Sequence, residues 1–352
     1  MSSVGIGVVG LGLVGARHVA AIAQVSGVHV AGVVEPDSHN AENARSQGLS
    51  VYPSIETLLS AAKPEGVIIA TPTPLHISQA QECIARDCPV LIEKPISTRA
   101  DDATVLVEQA EASDVPVLVG HHRRFNPLIK CASQIIERGS LGTVRAVHGT
   151  CWFYKPDDYF EIAPWRKRKG AGPISVNLVH DIDLIRYLIG EIVSVQALAA
   201  PSARGFENED VAAALLKFDN GAVGTITVSD SISAPWSWEL TSQEYPVYPV
   251  TPENCYMIGG SKASLSVPDL RLWSHEEGKQ DWWTPISSTC PILESSDPLV
   301  NQIKHFAEVI NGHADPLVSG REGLLTLRVI EAIQHSAQTG QPVIVSDTDC
   351  KS

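Results

Sequence analysis

The sequence predicts an α/β protein in two parts: strands alternating with helices over residues 1–122, then an α+β domain with an open, mainly antiparallel sheet over 123–352. Two observations carry this. Through the first third, apolar runs of strand length alternate with helical segments, which implies right-handed crossovers and a parallel sheet. Beyond it the strand-like runs follow one another with few helices between, and Asp219-Asn220-Gly221 has the composition of a hairpin turn.

Taken in order, residues 4–9 read as a buried strand, 16–25 as a helix and 28–34 as a second strand. Helices are expected over 41–47 and 55–61, the latter entered from Pro53-Ser54, and a strand over 66–70. A helix over 78–86 leads to a strand over 89–92, and a helix over 99–112 to a strand over 115–120. In the second part, strands are expected over 144–153, 192–200, 210–218, 222–230 and 256–259. Helices are expected over 128–138 and 178–189, with two more, 299–311 and 321–339, closing the chain. Residues 231–256 have no period of either kind, but their tryptophans and tyrosines favour an ordered, functional segment.

The first strand breaks into Gly10-Leu11-Gly12-Leu13-Val14-Gly15, a G-x-G-x-x-G at a strand-to-helix turn. That setting defines a Rossmann dinucleotide-binding domain. Gly10 allows the tight turn, Gly12 lets the backbone approach a pyrophosphate, and Gly15 lets the helix pack on the strand. The helix N-terminus that follows offers unpaired N–H groups to phosphate. Glu35 closes the second strand where an acidic side chain accepts from ribose hydroxyls, which favours NAD; Ser38 and Arg45 downstream leave NADP open.

Composition narrows the partners. The 352 residues suggest two domains, and 40 acidic against 26 basic residues give a net charge of −14. A surface of that sign repels polyanions, so neither nucleic acid nor a membrane surface is expected as a partner. The start of the chain has no basic and apolar leader pattern, and no 18-residue apolar run occurs, so the expected location is the cytoplasm. Seven scattered cysteines, at 83, 88, 131, 151, 255, 290 and 350, form no C-x-x-C pair, and the histidines form no H-E-x-x-H. Reduced thiols and no metal are expected.

Chemistry in such a domain belongs at the carboxyl ends of its strands. Two segments stand there: Thr71-Pro72-Thr73-Pro74-Leu75-His76 and Glu93-Lys94-Pro95. A positioned, desolvated Lys94 can take the proton of a hydroxyl whose carbon gives up hydride; taken alone it reads sooner as a surface lysine at a strand end. Further on, Gly170-Ala171-Gly172 precedes Asn177, His180, Asp181 and Asp183 around a helix start. Arg123 and Arg124 follow the last strand of the first part, and Trp165-Arg166 precede those glycines. Arginine in either place suits a carboxylate or ring hydroxyls. Tyr154, Tyr159, Trp236 and Trp238 supply stacking surface or core.

Together the G-x-G-x-x-G, the A-T-P-x-x-x-H of residues 70–76, the E-K-P of 93–95 and the G-x-G…H-D-x-D of 170–183 closely resemble the Gfo/Idh/MocA dehydrogenases. The resemblance covers nearly the whole chain. It implies oxidation of a secondary alcohol on a sugar, sugar acid or cyclitol by hydride transfer to NAD(P). It makes Lys94 the main acid/base, with a cis Lys94–Pro95 bond, and His180 an assisting catalytic residue. Cofactor contacts then fall to Gly10, Gly12, Leu13, Val14, Gly15, Glu35, Thr71, Pro72, His76, Glu93 and Lys94. Substrate contacts fall to Lys94, Arg123, Arg124, Trp165, Arg166, Asn177 and His180. One position departs from the pattern: many members carry an aspartate four residues before the histidine, where this chain has Val176, with Asn177 the nearest polar substitute. An amide positions a hydroxyl but cannot act as a base.

The expected substrate is therefore a small polyol or hydroxy acid. A carboxylated cyclic cis-diol is the close enzymatic alternative, turnover of a glycosidic bond through transient oxidation a third, and a non-catalytic NAD(H) sensor the alternative from another class. An open sheet exposes a face that needs cover, so a homodimer or homotetramer packed through it is expected.

Overall fold

Apolar, β-branched runs form the strands of the first sheet: β1 (Val4–Val9), β2 (Val28–Val34), β3 (Val51–Tyr52), β4 (Gly66–Ile69), β5 (Val90–Ile92) and β6 (Val117–Val119). Every residue of β1, β4, β5 and β6 is buried, as strands covered on both faces require. The strands run in the order β3-β2-β1-β4-β5-β6, all pairs parallel. That is the doubly wound order, with its switch point between β1 and β4. Its helices are α1 (Leu13–Ile22), α2 (Ser38–Ser46), the short α3 (Ile55–Thr57), α4 (His76–Ile84) and α5 (Ala100–Ala112). Ser54 opens α3 with a reciprocal capping box to Thr57, and a π turn over Leu58–Ala62 continues it.

The computed structural model describes residues 3–345. A second sheet comprises β7 (Val144–Trp152), β8 (Ile192–Pro201), β9 (Glu209–Phe218), β10 (Val223–Ser229), β11 (Tyr256–Gly260), β12 (Ala263–Val267), β13 (Leu272–Ser274), β14 (Ser287–Thr289) and β15 (Val343–Ile344). Their order is β14-β13-β12-β11-β7-β10-β9-β8-β15. Among the described residues of this sheet, β7 and β10 are the one parallel pair. The β9–β10 hairpin turns where the Asn-Gly signal predicts, with Gly221 at φ +83°. Alternation along β9 buries Ala212, Ala214, Leu216 and Phe218 and exposes Leu215 and Lys217, so one face of the sheet is core and the other open.

The core face receives α6 (Pro127–Glu137) and α9 (Leu178–Ile189), with α7 (Asp157–Ile162), α8 (Pro173–Val176) and α10 (Trp238–Thr241) in the connections. The chain closes with α11 (Pro298–Ile310) and α12 (Gly320–Thr339). The described residues fall into two compact units: 3–125 with Ser296–Leu327, and Asn126–Ser295 with 328–345. Helix α11 thus belongs with the first sheet, where Ile303 and Phe306 pack into the cluster of Ile6, Val8 and Leu91. Sequence reading had no signal for that return, because its apolar face matches any core.

Several local expectations shift, among them the helix expected over 78–86, which spans His76–Ile84. Helix α1 begins at Leu13 rather than 16, because Gly12 is extended and ends the turn itself. The aperiodic segment 231–256 contains α10, whose Trp238 is fully buried with its Nε1 donating to Glu244. Six cysteines carry no disulfide among the described residues; Cys350 lies outside them. No helix of the described residues is long and apolar enough to cross a membrane.

Candidate active site

In the first unit the glycine turn joins β1 to α1 at the switch point. A side chain at Gly15 would place its Cβ 1.9 Å from the Gly10 carbonyl oxygen, and one at Gly10, at φ +87°, would come 2.9 Å from that of Ala70. Both must be glycine for the fold alone. A Cβ at Gly12 meets no protein atom within 4 Å, so packing does not demand that glycine. The open space lies at the start of α1, whose N-terminus has no side-chain cap and whose Leu13 is 79% exposed. These are the features a pyrophosphate uses, and the residues present fit a dinucleotide.

Glu35 is held in place by backbone. Its Oε2 accepts from Leu11 N–H (2.5 Å) and its Oε1 from Asp37 N–H (2.8 Å), while Asp37 caps α2 through Asn40 N–H. The carboxylate is thereby fixed beside the glycine turn, half-buried, where ribose hydroxyls can donate to it. A bound dinucleotide's 2′-phosphate would meet this negative charge.

At the ends of β4 and β5 the two predicted segments are tied together. His76 is buried, with Nε2 2.8 Å from the Thr71 carbonyl oxygen and Nδ1 3.0 Å from that of Pro95. A neutral ring donates to one of them. Burial lowers its pKa, against the pull of the two carbonyls and of Glu93. The side chain thus braces the turn carrying Thr71 and Pro72 against the turn carrying Lys94, a structural task that its motif position did not reveal. Thr71 donates to Gln79 (2.6 Å).

Glu93 is buried, its Oε1 2.7 Å from Nε2 of His18, which is itself fully buried on α1. Burial alone would raise the carboxyl pKa. The hydrogen bond and charge of His18, with the charges of His122 and Lys94, outweigh it and hold the group at about 2. The second oxygen, Oε2, accepts from the backbone N–H of Lys94 (3.2 Å). Lys94 is half-buried, and its bond to Pro95 is cis. His18 escaped the sequence reading, although its place three residues after Gly15 sets it on the inner face of α1.

Both arginines after β6 are buried. Arg124 donates to Glu322 of α12 (2.8 Å), an internal ion pair.

In the second unit, Asn177 stands between α8 and α9 and His180 one turn on, both 8% exposed. The neighbouring Asp181 is fully buried and accepts from the Tyr256 hydroxyl, which accounts for it structurally. Arg166 lies flat on Tyr159, 3.8 Å from the ring centroid, and donates to the Tyr159 carbonyl oxygen (2.7 Å); Trp165 is exposed. Sequence reasoning missed a buried lysine here. Lys155 Nζ donates to Asn177 Oδ1 (2.7 Å), lies 3.4 Å from Asp230 Oδ2 and sits 4.9 Å from the Tyr159 ring centroid. Arg204 pairs with the other oxygen of Asp230 (3.2 Å). Burial pulls the Lys155 pKa down and pushes that of Asp230 up, each opposed by the charge of the other. The parallel pairing of β7 with β10 explains the meeting: both strands end at one edge, where Lys155 N–H donates to the Asp230 carbonyl. A sequence read without that pairing shows no link between residues 75 positions apart.

The geometry of the first unit defines a dinucleotide-binding α/β protein, and comparison with known proteins gives its family. Residues 4–121 match the Gfo/Idh/MocA model described as an oxidoreductase family, NAD-binding Rossmann fold, and residues 133–345 match that family's C-terminal alpha/beta domain. The chain belongs to the Gfo/Idh/MocA oxidoreductase family. D-apiose dehydrogenase of Paraburkholderia graminis is 24% identical, over 98% of this chain and 90% of that protein. The scyllo-inositol 2-dehydrogenase (NAD(+)) of Bacillus subtilis is 25% identical over 96% and 94%. Among solved structures, the WlbA dehydrogenase of Bordetella pertussis, in complex with NADH and UDP-GlcNAcA, superposes with a TM-score of 0.77 at 25% identity, covering 97% of this chain and 98% of that one.

Proposed function

We propose that the protein is an NAD-dependent dehydrogenase that oxidises a secondary alcohol of a sugar, sugar acid or cyclitol. The observation that carries this reading is Lys94: it stands directly after β5 at the carboxyl edge of the sheet, on a turn braced by Glu93–His18 and by His76. Bound NAD supplies the hydride acceptor. Lys94 takes the hydroxyl proton as the carbinol carbon loses hydride, and in the reverse direction returns it. His180 assists by hydrogen bonding to the substrate or relaying a proton, and Asn177 orients a substrate oxygen. Gly12, the first turn of α1 and Glu35 hold the dinucleotide, with Thr71 and Pro72 beside it.

The relatives support the substrate class, being named for apiose and scyllo-inositol. The carboxylated cis-diol remains the alternative reading; Arg124 is engaged by Glu322 and Arg166 by Tyr159, and the buried Arg123 is the arginine proposed for its carboxylate. A panel of neutral sugars, cyclitols, sugar acids and dihydrodiol acids, followed by the absorbance of reduced nicotinamide, tests the reading. Turnover of a neutral polyol with NAD is expected; NAD binding without turnover across the panel would favour the sensor.

The open face of the second sheet is proposed to pair with a second copy. It carries exposed Leu198, and exposed Leu215, Val223 and Met257 line a depression of about 780 Å³. A light-scattering mass of one chain at micromolar concentration would contradict it.

A further inference from the structure

We infer that Lys155 is a positioning residue that locks Asn177 as a hydrogen-bond donor, so that the substrate atom set against Asn177 is an acceptor oxygen: a carbonyl, ring-ether, carboxylate or hydroxyl oxygen receiving the bond. This rests on the reading of Asn177 as a substrate contact.

An amide side chain can face a neighbour with either end, and its network decides which. An ammonium group only donates. The atom of Asn177 2.7 Å from Lys155 Nζ is therefore its carbonyl oxygen, and the N–H2 end is turned the other way. Three observations show that the contact is built rather than incidental. Asn177 stands at the N-cap of α9, where its oxygen would ordinarily accept from the first helical turn, yet it makes no capping bond. Lys155 is 6% exposed, enclosed by Tyr159 and by Asp230, which is 2% exposed. Arg204 in turn fixes both ends of the arrangement, donating to the Lys155 carbonyl (2.8 Å) and to Asp230.

The consequence is a difference in polarity from members of the family that carry an aspartate four residues before the histidine. A carboxylate there can only accept. Here a donor faces the substrate, and Lys155 prevents the amide from turning over.

The test joins a direct probe of the contact to kinetics. In full-length protein labelled with ¹⁵N-lysine, the Lys155 ammonium is expected to give a protected N–H signal at neutral pH, absent in Lys155→Met and shifted in Asn177→Leu. With the best substrate of the panel above, Asn177→Ala and Lys155→Met are each expected to raise KM about tenfold, the size of one lost hydrogen bond, with a smaller change in kcat. In the double variant the two effects should not add, because Lys155 acts only through Asn177. Asn177→Asp, which keeps the oxygen toward Lys155 and removes the donor, should raise KM as Asn177→Ala does; this holds the claim open to failure even if Lys155→Met does not fold. Full additivity, a wild-type KM in Asn177→Asp, or no shift of the ammonium signal in Asn177→Leu would each overturn the proposal. Absence of turnover across the panel with the ammonium signal intact would instead remove the substrate role of Asn177 along with the proposed activity.

Discussion

In the first unit the residues proposed to hold the cofactor are neighbours in sequence, Gly10 to Gly15, with Glu35 closing the next strand. In the second, the cluster around Asn177 is assembled from residues 155, 159, 177, 204 and 230, brought together by sheet pairing. The first arrangement is fixed by backbone geometry, where one atom too many is a collision. The second is fixed by charge, where burial is the cost and pairing the compensation. Substitutions in the two regions should fail in different ways.

The largest effect belongs to the backbone. Gly15→Ala forces a methyl to within 1.9 Å of the Gly10 carbonyl oxygen, and chemical denaturation should show a loss of more than about 3 kcal/mol or no folded protein. Next comes the buried contact of His18 with Glu93 in the first unit. His18→Ala leaves the Glu93 carboxylate buried without its partner and should cost on the order of 3 kcal/mol. The folded pKa of Glu93, about 2, lies below its ordinary value. Its contribution is therefore present above the ordinary carboxylate range and lost as pH falls toward the folded value. The deficit of His18→Ala should accordingly shrink in acid denaturation profiles below pH ~4.

Gly12→Ala separates fold from function. Because its Cβ meets no protein atom within 4 Å, unfolding should move by less than about 1 kcal/mol, whereas NAD affinity in calorimetry should fall at least about tenfold. Equal losses in both would show that the open space is not the pyrophosphate's. The smallest effect lies in the second unit. Burial lowers the Lys155 pKa, so in alkaline solution the unfolded chain holds that proton more firmly. Wild-type stability relative to Lys155→Met should then rise with pH between the folded and ordinary lysine pKa values. A flat difference across that range would break the assignment of a buried, desolvated ammonium.

The same contrast explains what could be read from sequence. The switch-point glycines, Glu35, Lys94 and His180 lie in local patterns whose spacing has a physical meaning, and the parallel and antiparallel sheets follow from runs of apolar residues. His18 was readable in principle, as a histidine on the inner face of α1. Lys155 was not, since only the β7–β10 pairing sets it beside Asp230 and Asn177. The short strands β12 to β14 were missed because three to five residues carry too little alternation, and the affiliation of α11 because an amphipathic helix does not name its partner core.

The central claim is that Lys94 carries the acid/base chemistry on a turn that needs no help from it to bind NAD. Lys94→Ala, assayed with the best substrate of the panel and titrated with NAD by calorimetry, tests this directly. With Lys94 as the acid/base, kcat is expected to fall about 100- to 10,000-fold while NAD affinity stays within about threefold. Retained turnover, or turnover lost only in proportion to NAD affinity, would contradict it.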